Sequence, residues 1–210
     1  MHSYSVDSNI RTTITSYVAV ISIALMFIVG IVLKFFSIDF IPLEINIQTI
    51  GFVIFKMFTV SITIFGVIYY LYDNFLWKTS ILHKVHKIPN LNGSWNGSFL
   101  SSKLDDNGVN YNGTSEMVIK QTWSKISITA YFNKSTSDSH SARININGND
   151  GIELKFEYYN KAEQSVIPTM MKHTGFNILR YISSENKLVG DYFTDKNRST
   201  NGTITVIKVA

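Results

Sequence analysis

Arg180 is the residue whose surroundings in this sequence point most directly to chemistry. It shares strand parity with Phe176, Ile178 and Ile182, and we expect these side chains to point into the protein. A buried guanidinium needs an anionic partner, because an unpaired charge is costly to bury. A carboxylate in an internal ion pair and a phosphate of a bound ligand both suit the guanidinium fork. No carboxylate has an obvious inward parity, so both partners stay open.

Two tyrosines are expected on inward faces as well. Tyr158 continues the face that alternates through Ile152–Phe156, and Tyr192 continues the face of Leu188–Gly190. A tyrosine ring can stack on a nucleobase, and its hydroxyl can bond a phosphate or a base edge, although packing is its commoner role. Two further polar residues follow where the chain turns. The predicted ligand-binding residues are therefore Tyr158, Arg180, Tyr192, Thr194 and Arg198.

No catalytic or metal-binding set stands out in the sequence. There is no cysteine, no His-x-x-x-His pair, no nucleophile elbow and no phosphate loop, and the five histidines are scattered. We therefore expect no enzyme activity, no metal and no cofactor. The net charge of +4 is too small to argue for a nucleic-acid partner.

Strands must position these residues, because the pattern after Pro89 has a period of two. Apolar and polar side chains alternate over 94–99, 126–132, 142–146 and 152–158. Similar runs at 117–122, 174–183, 187–194 and 202–209 bring the total to about eight strands. Turn sequences such as Asn107-Gly108 and Asn112-Gly113 separate them.

Eight sequential strands with short turns predict an all-β, up-and-down, lipocalin-like barrel. Closure removes the open edges of the sheet, and an eight-stranded barrel has room for one small ligand. Gly93-Ser94-Trp95 resembles the Gly-X-Trp opening of lipocalin-type barrels. Core packing is the simpler role for Trp95.

Two apolar stretches precede the barrel, at about residues 12–34 and 51–72. Each has about the 20 residues that span a hydrocarbon core. The first is too long for the apolar region of a signal peptide, and no small-residue cleavage site follows it. The sequence thus predicts a membrane anchor of two transmembrane helices with tail and linker (1–90), followed by a ligand-binding barrel (91–210).

Flanking charges predict the orientation of this anchor. Lys78, Lys84 and Lys87 follow the second span, whereas the connecting loop carries Asp39 and Glu44. The positive-inside rule places both termini and the barrel in the cytoplasm. Within the second span, Lys56 is interpreted either as a polar contact between helices or as a side chain that reaches the interface, and the second reading is preferred.

The chain resembles the two-transmembrane, β-strand-rich effectors of bacterial CBASS anti-phage systems, which are encoded beside CD-NTase enzymes. The resemblance covers nearly the whole chain. After the two helices it rests on Leu91-Asn92-Gly93-Ser94-Trp95-Asn96-Gly97, Tyr158-Tyr159-Asn160, His173-Thr174-Gly175, Leu188-Val189-Gly190-Asp191-Tyr192-Phe193-Thr194, Arg198 and Gly202-Thr203-Ile204.

This resemblance implies a multi-pass protein of the bacterial inner membrane whose cytoplasmic barrel binds a cyclic dinucleotide made by the CD-NTase partner. Binding would drive homo-oligomerisation and disruption of the bilayer, so that the infected cell stops growing or dies before phage matures. Two alternatives stay open from the residues alone. One is a membrane-tethered carrier of an apolar small ligand, and the other is a scaffold whose barrel is filled by its own side chains.

Overall fold

The computed structural model describes residues 1–36, 47–104, 107–133, 135–149, 151–162, 172–196 and 198–209. The loop that carries Asp39 and Glu44, on which the orientation argument relied, lies outside these residues. The chain forms two compact units. One comprises Asn9–Leu82, and the other combines Met1–Ser8 with His83–Ala210.

The first unit contains two long apolar helices, as predicted. Helix α1 spans Ile10–Phe35 and α2 spans Ile47–Asn74, and each is long and apolar enough to cross a membrane. A 3-10 turn, Leu76–Lys78, follows, and α3, Ser80–His86, continues into the second unit. In α2 the Lys56 ammonium lies 4.5 Å from the centre of the Phe52 ring, one turn nearer the helix start.

The second unit is a closed, eight-stranded antiparallel barrel, which confirms the predicted fold. Its strands pair in chain order, and the last pairs with the first. Two short N-terminal strands, β1 (His2–Ser3) and β2 (Ser5–Val6), join it. The eight barrel strands are β3 (Gly93–Leu104), β4 (Asn110–Gln121), β5 (Lys125–Phe132), β6 (Ser135–Gly148), β7 (Gly151–Ala162), β8 (His173–Ile182), β9 (Lys187–Thr194) and β10 (Asn201–Lys208).

One end of the barrel is filled by an apolar core around Trp95. This ring is fully buried, and its Nε1 donates to the Leu91 carbonyl at 3.0 Å. Because alternate residues of each strand point inward, one layer of large aliphatic side chains closes this end. Its fully buried members include Ile126, Ile144, Leu154, Leu179, Leu188 and Val206.

The pairing of β5 with β6 is incomplete, and the N-terminal tail fills the gap. The two strands pair directly only between Thr129–Phe132 and Ser135–Asp138. Beyond that stretch, β1 pairs with β5 in the antiparallel orientation, and β2 pairs with β6 in the parallel orientation. Ser139 lies where the strands part, and its Oγ accepts from the Ile128 amide at 2.9 Å.

This inserted tail, residues 2–7, is called the N-terminal strap below. Tyr4 is its buried anchor, with its hydroxyl 3.3 Å from the Thr122 carbonyl and 3.2 Å from Gln121 Nε2. Asp7 closes the far end, because its carboxylate accepts from the backbone amides of Ile146 at 2.7 Å and Asn147 at 3.1 Å. The sequence pattern predicts that this tail belongs with the anchor, and it does not predict the place of the tail in the sheet.

A fragment of residues 83–210 should fold as a β-protein with an uncovered seam. We expect a synthetic peptide of residues 1–8 to bind this fragment and raise its unfolding temperature, because the peptide covers apolar surface and pairs two strand edges. Circular dichroism measures both the fold and the shift. The same peptide with Tyr4→Ser is the matched control and should give no shift. A strongly helical spectrum would contradict the fold of this unit.

Candidate functional site

The other end of the barrel holds an open cavity of about 780 Å³, a volume that includes the space at its mouth. Its walls combine apolar rings with buried polar side chains. Its apolar lining includes Met117, Phe156 and Ile204, and its polar lining includes Asn160 and Asn177. Ligand pockets usually have this mixture of apolar walls and few polar groups.

Strand register arranges the polar residues of β7, β8 and β9 in layers. Asn177 pairs with Phe156 on one side and with Tyr192 on the other, and this layer lies deepest. Gly175 pairs with Tyr158 and Thr194 in the next layer. Nearer the mouth, Asn160 pairs with His173. All of these side chains except the glycine line the cavity.

Each tyrosine ring lies across a glycine of the neighbouring strand. A Cβ at Gly175 would collide with the Tyr158 ring and hydroxyl, and one at Gly202 would lie 2.7 Å from the Tyr192 ring. The absent side chains allow the rings to lie flat along the cavity wall instead of standing into its centre. The two glycines therefore keep the space between the tyrosines open.

The charge of Arg198 acts on the hydroxyl groups of both tyrosines. Burial raises the pKa of Tyr158, and the neighbouring Tyr192 raises it further, whereas the charge of Arg198 lowers it. Burial also raises the pKa of Tyr192, against opposing effects of a hydrogen bond with Ser101 and of Arg198. Both hydroxyls are thus neutral at physiological pH and available as hydrogen-bond donors.

A tight turn holds Arg198 at the mouth. The Thr194 hydroxyl donates to the Thr200 carbonyl at 2.8 Å and accepts from the Thr200 amide at 2.8 Å, which pins the base of the turn. Asp195 accepts from the amide of Thr174 at 2.8 Å and ties the turn to β8. The guanidinium itself forms no ion pair with any residue that the structure describes. Lys103 also lines the cavity and adds a second positive charge.

The structure brings four of the five predicted site residues together and excludes the fifth. Tyr158, Tyr192, Thr194 and Arg198 all line the cavity. Arg180 does not, and the expectation that it points inward is wrong. It is exposed on the outer face, because the inward residues of β8 are His173, Asn177 and Leu179.

Sequence reasoning missed the buried amides and hydroxyls of the cavity. Asn160, Asn177, Ser101, Ser135 and Ser137 are all buried and all line it. The parity of Asn160 with Tyr158 on β7 and of Asn177 with His173 on β8 can be read from the sequence. A polar residue on a strand normally indicates the solvent-facing side, so the sequence pattern predicts that these buried residues are exposed.

A family model and a curated protein both match this chain over more than half of its length. A family model described as the Cap15 cyclic dinucleotide receptor domain matches residues 86–208, more than half of the chain. A curated protein from Yersinia aleksiciae, CD-NTase-associated protein 15, is 30% identical over 142 residues. That match covers 68% of this chain and 66% of the relative, so the chain spans about two thirds of its length.

Alkaline pH should destabilise the barrel through Tyr158. The tyrosine ionises at its ordinary pKa of 10.0 in the unfolded chain, whereas burial raises the pKa in the folded state. Above about pH 10 the unfolded state therefore binds fewer protons than the folded state, and the free energy of unfolding falls as pH rises. Urea midpoints at about pH 8 and about pH 11 measure this loss. Tyr158→Phe should reduce it, and an equal loss in that variant would contradict the assignment.

Proposed function

This chain belongs to the Cap15 cyclic dinucleotide receptor family, and we propose from that premise that its barrel binds a cyclic dinucleotide as the effector of a CBASS system. The observation that carries the proposal is Arg198, which is held over an open cavity beside two tyrosines and forms no ion pair with the described residues. A guanidinium in such a place suits a phosphate group.

The chemistry of the cavity matches the parts of a cyclic dinucleotide. The ligand has two phosphates and two flat bases. Arg198 and Lys103 supply positive charge at the mouth, and Tyr158 and Tyr192 supply ring faces and neutral hydroxyl donors. Thr194 contributes mainly by position, since its hydroxyl is used to pin the turn that carries Arg198.

The anchor supplies the second half of the proposed function. We place the protein in the bacterial inner membrane with both termini and the barrel in the cytoplasm, beside the CD-NTase that makes the ligand. Ligand binding favours an assembling state of the barrel, and only differential affinity for that state can shift the population. Confinement to the membrane raises the effective concentration, so modest contacts between barrels suffice. The clustered helices then disrupt the bilayer.

A carrier of an apolar ligand is the second candidate, favoured by the apolar side chains of the cavity lining. Phe99, Phe132 and Ile204 are among them. A fatty acid would lie against these side chains and place its carboxylate near Arg198. It would leave the deeper amide of Asn177 without a partner, which is costly in a buried site. The apolar lining thus fits both ligands, and the deep amide favours a nucleotide.

Arg198→Ala should weaken cyclic dinucleotide binding by about ten- to a hundredfold, because a charge-assisted contact contributes about 1.5–3 kcal/mol. Arg180→Ala is the matched control, since it removes the same group from the exposed outer face. Calorimetry with a panel of cyclic dinucleotides and fatty acids measures both variants. Equal loss in both, or tight fatty-acid binding with no nucleotide response, would contradict the proposal.

Membrane damage should require ligand and anchor together. Expression of the full chain with an active CD-NTase should let a membrane-impermeant dye into the cells. A fragment of residues 83–210 should bind the ligand without admitting dye, because it lacks both apolar helices. The full chain with Arg198→Ala is the control for ligand dependence. Dye entry with the anchor-less fragment would show that the helices serve only to locate the protein.

A further inference from the structure

Asn160 carries a buried polar atom that its own fold leaves without a partner. Its amide nitrogen donates to Ser135 Oγ at 3.1 Å and to Ser137 Oγ at 2.9 Å. These two bonds use both amide protons and fix the orientation of the group. The side chain is only 5% exposed, and its Oδ1 has no hydrogen-bond partner among the described residues.

Asn177 presents a second acceptor of the same kind, deeper in the cavity. Its side chain is 4% exposed, and its Oδ1 also lacks a partner within the described parts of the chain. The register places it beside Phe156 and Tyr192, whereas Asn160 lies beyond Tyr158, four residues along β7 from Phe156. The two acceptors thus lie at different depths of one cavity, with Tyr158 between their layers.

We propose that Asn160 and Asn177 select the ligand by accepting hydrogen bonds from N–H groups of its bases, with Asn160 as the principal determinant. A buried carbonyl without a partner favours a ligand that brings a donor and rejects one that does not, because the mismatch leaves the group unpaired. Base edges carry such donors as amino or ring N–H groups, and phosphates and fatty acids do not. The inference rests on the proposed function and adds the feature of the base that is read.

The test combines a change in the protein with a change in the ligand. A panel of cyclic dinucleotides with adenine, guanine, cytosine or uracil first identifies the tightest ligand of the full-length protein in detergent. Its counterpart then lacks the N–H groups of the base edges, with purine in place of adenine or N3-methyluracil in place of uracil. Calorimetry measures both ligands against the unaltered protein, Asn160→Ala and Asn177→Ala.

We expect removal of the N–H groups to weaken binding to the unaltered protein by at least about tenfold, or about 1.4 kcal/mol. Asn160→Ala should weaken binding of the intact ligand similarly and change binding of the stripped ligand little. Ser115→Ala is the matched control. Ser115 is 2% exposed and its hydroxyl also lacks a described partner, but it is not among the cavity residues.

The possible failures are distinct. If no cyclic dinucleotide binds the unaltered protein, the proposed function is wrong. If one binds and the effects of Asn160→Ala and of N–H removal simply add, the base-reading role is wrong and the proposed function stands. The comparison of the two ligands on the unaltered protein needs no substitution, so equal affinities there would overturn the inference even if a variant failed to fold.

The N-terminal strap supports a second inference from different observations. The strap and the cavity use two halves of the same seam between β5 and β6. The directly paired half contains Phe132, Ser135 and Ser137, which line the cavity. The other half is held by the strap, which is followed after two residues by α1 at Ile10.

The strap is much shorter than any strand of the barrel, so its release costs less than unfolding of the barrel. It has two residues paired to β5 and two to β6, one large buried side chain, Tyr4, and hydrogen bonds from His2, Tyr4 and Asp7 to the barrel. Short edge pairings of this kind open locally while the rest of a domain stays folded. His2 Nε2 lies 2.8 Å from Ser139 Oγ, at the point where the two halves of the seam meet.

We further infer that the strap is the element through which an occupied cavity acts on the first membrane helix. A ligand that alters the direct half of the seam changes the fit of the strap in the other half, and the strap is continuous with α1. This inference also rests on the proposed function. In this inference the signal passes from the barrel to the membrane helices through the N-terminal connection, in addition to the linker that precedes β3.

Engineered disulfides test this role cleanly, because the chain has no cysteine. Ser3→Cys with Lys125→Cys joins the strap to β5, and Ser5→Cys with Arg143→Cys joins it to β6, each across a register pair of exposed residues. The control, Asn96→Cys with Ile207→Cys, joins β3 to β10 on the other side of the barrel. Full-length protein in dye-loaded vesicles is treated with the tightest cyclic dinucleotide of the panel.

We expect both strap disulfides to reduce ligand-triggered dye release by at least about tenfold, while the control disulfide leaves it unchanged. Dithiothreitol should restore release, and the reduced protein should bind the ligand more tightly than the cross-linked protein, because a strap that the ligand releases must in turn weaken ligand binding. Dye release that is the same before and after reduction in both strap variants would overturn the inference. No release from the unaltered protein would instead contradict the proposed function.

Discussion

The seam between β5 and β6 is the constraint on which this barrel depends. An eight-stranded sheet has no edges only if every neighbouring pair of strands is joined, and this pair is joined along part of its length. The strap completes the rest, with Tyr4 as its buried anchor and Asp7 capping the Ile146 amide. The fold of the ligand-binding unit therefore includes the residues that precede the first membrane helix.

Closure also explains why the two ends of the barrel differ. Alternation sends every second side chain into a narrow interior, where large aliphatic groups around Trp95 fill one end completely. At the other end, Gly175 and Gly202 let two tyrosine rings lie along the wall, and space remains. Buried amides face this space, and Asn160 and Asn177 each keep an acceptor that no described residue satisfies. Such an interior is incomplete as a core and suited to a polar ligand.

The sequence was sufficient to predict the architecture, and four of the five predicted site residues line the cavity. Alternation identified the eight strands, and the inward parity of Trp95, Ile126, Phe156 and Tyr192 agrees with their place in the core or cavity. For strand β8 the inward face is predicted wrongly, because its outer residues include Phe176 and Ile178. Apolar side chains on both faces removed the contrast that fixes parity, and Arg180 was assigned to the wrong face.

Two other features could not be read from periodicity. The strap consists of two strands of two residues each, too short to show alternation, and its pairing is non-local. Asn160 and Asn177 are polar and so resemble solvent-facing residues in the sequence, because only closure of the barrel buries their side of the strand. In both cases tertiary structure supplied the information that a local pattern lacks.

The cavity and the strap share the seam between β5 and β6, and this has a thermodynamic consequence for ligand binding. If ligand in the cavity weakens docking of the strap by some factor, a docked strap must weaken ligand binding by the same factor, because coupling free energies are reciprocal. The strap would then hold the unoccupied barrel in a state of lower affinity, and its docking energy would set the ligand concentration at which the protein responds. A short strap with one buried tyrosine suits this task, since a strap docked more firmly would raise that threshold and a looser one would leave the seam open without ligand.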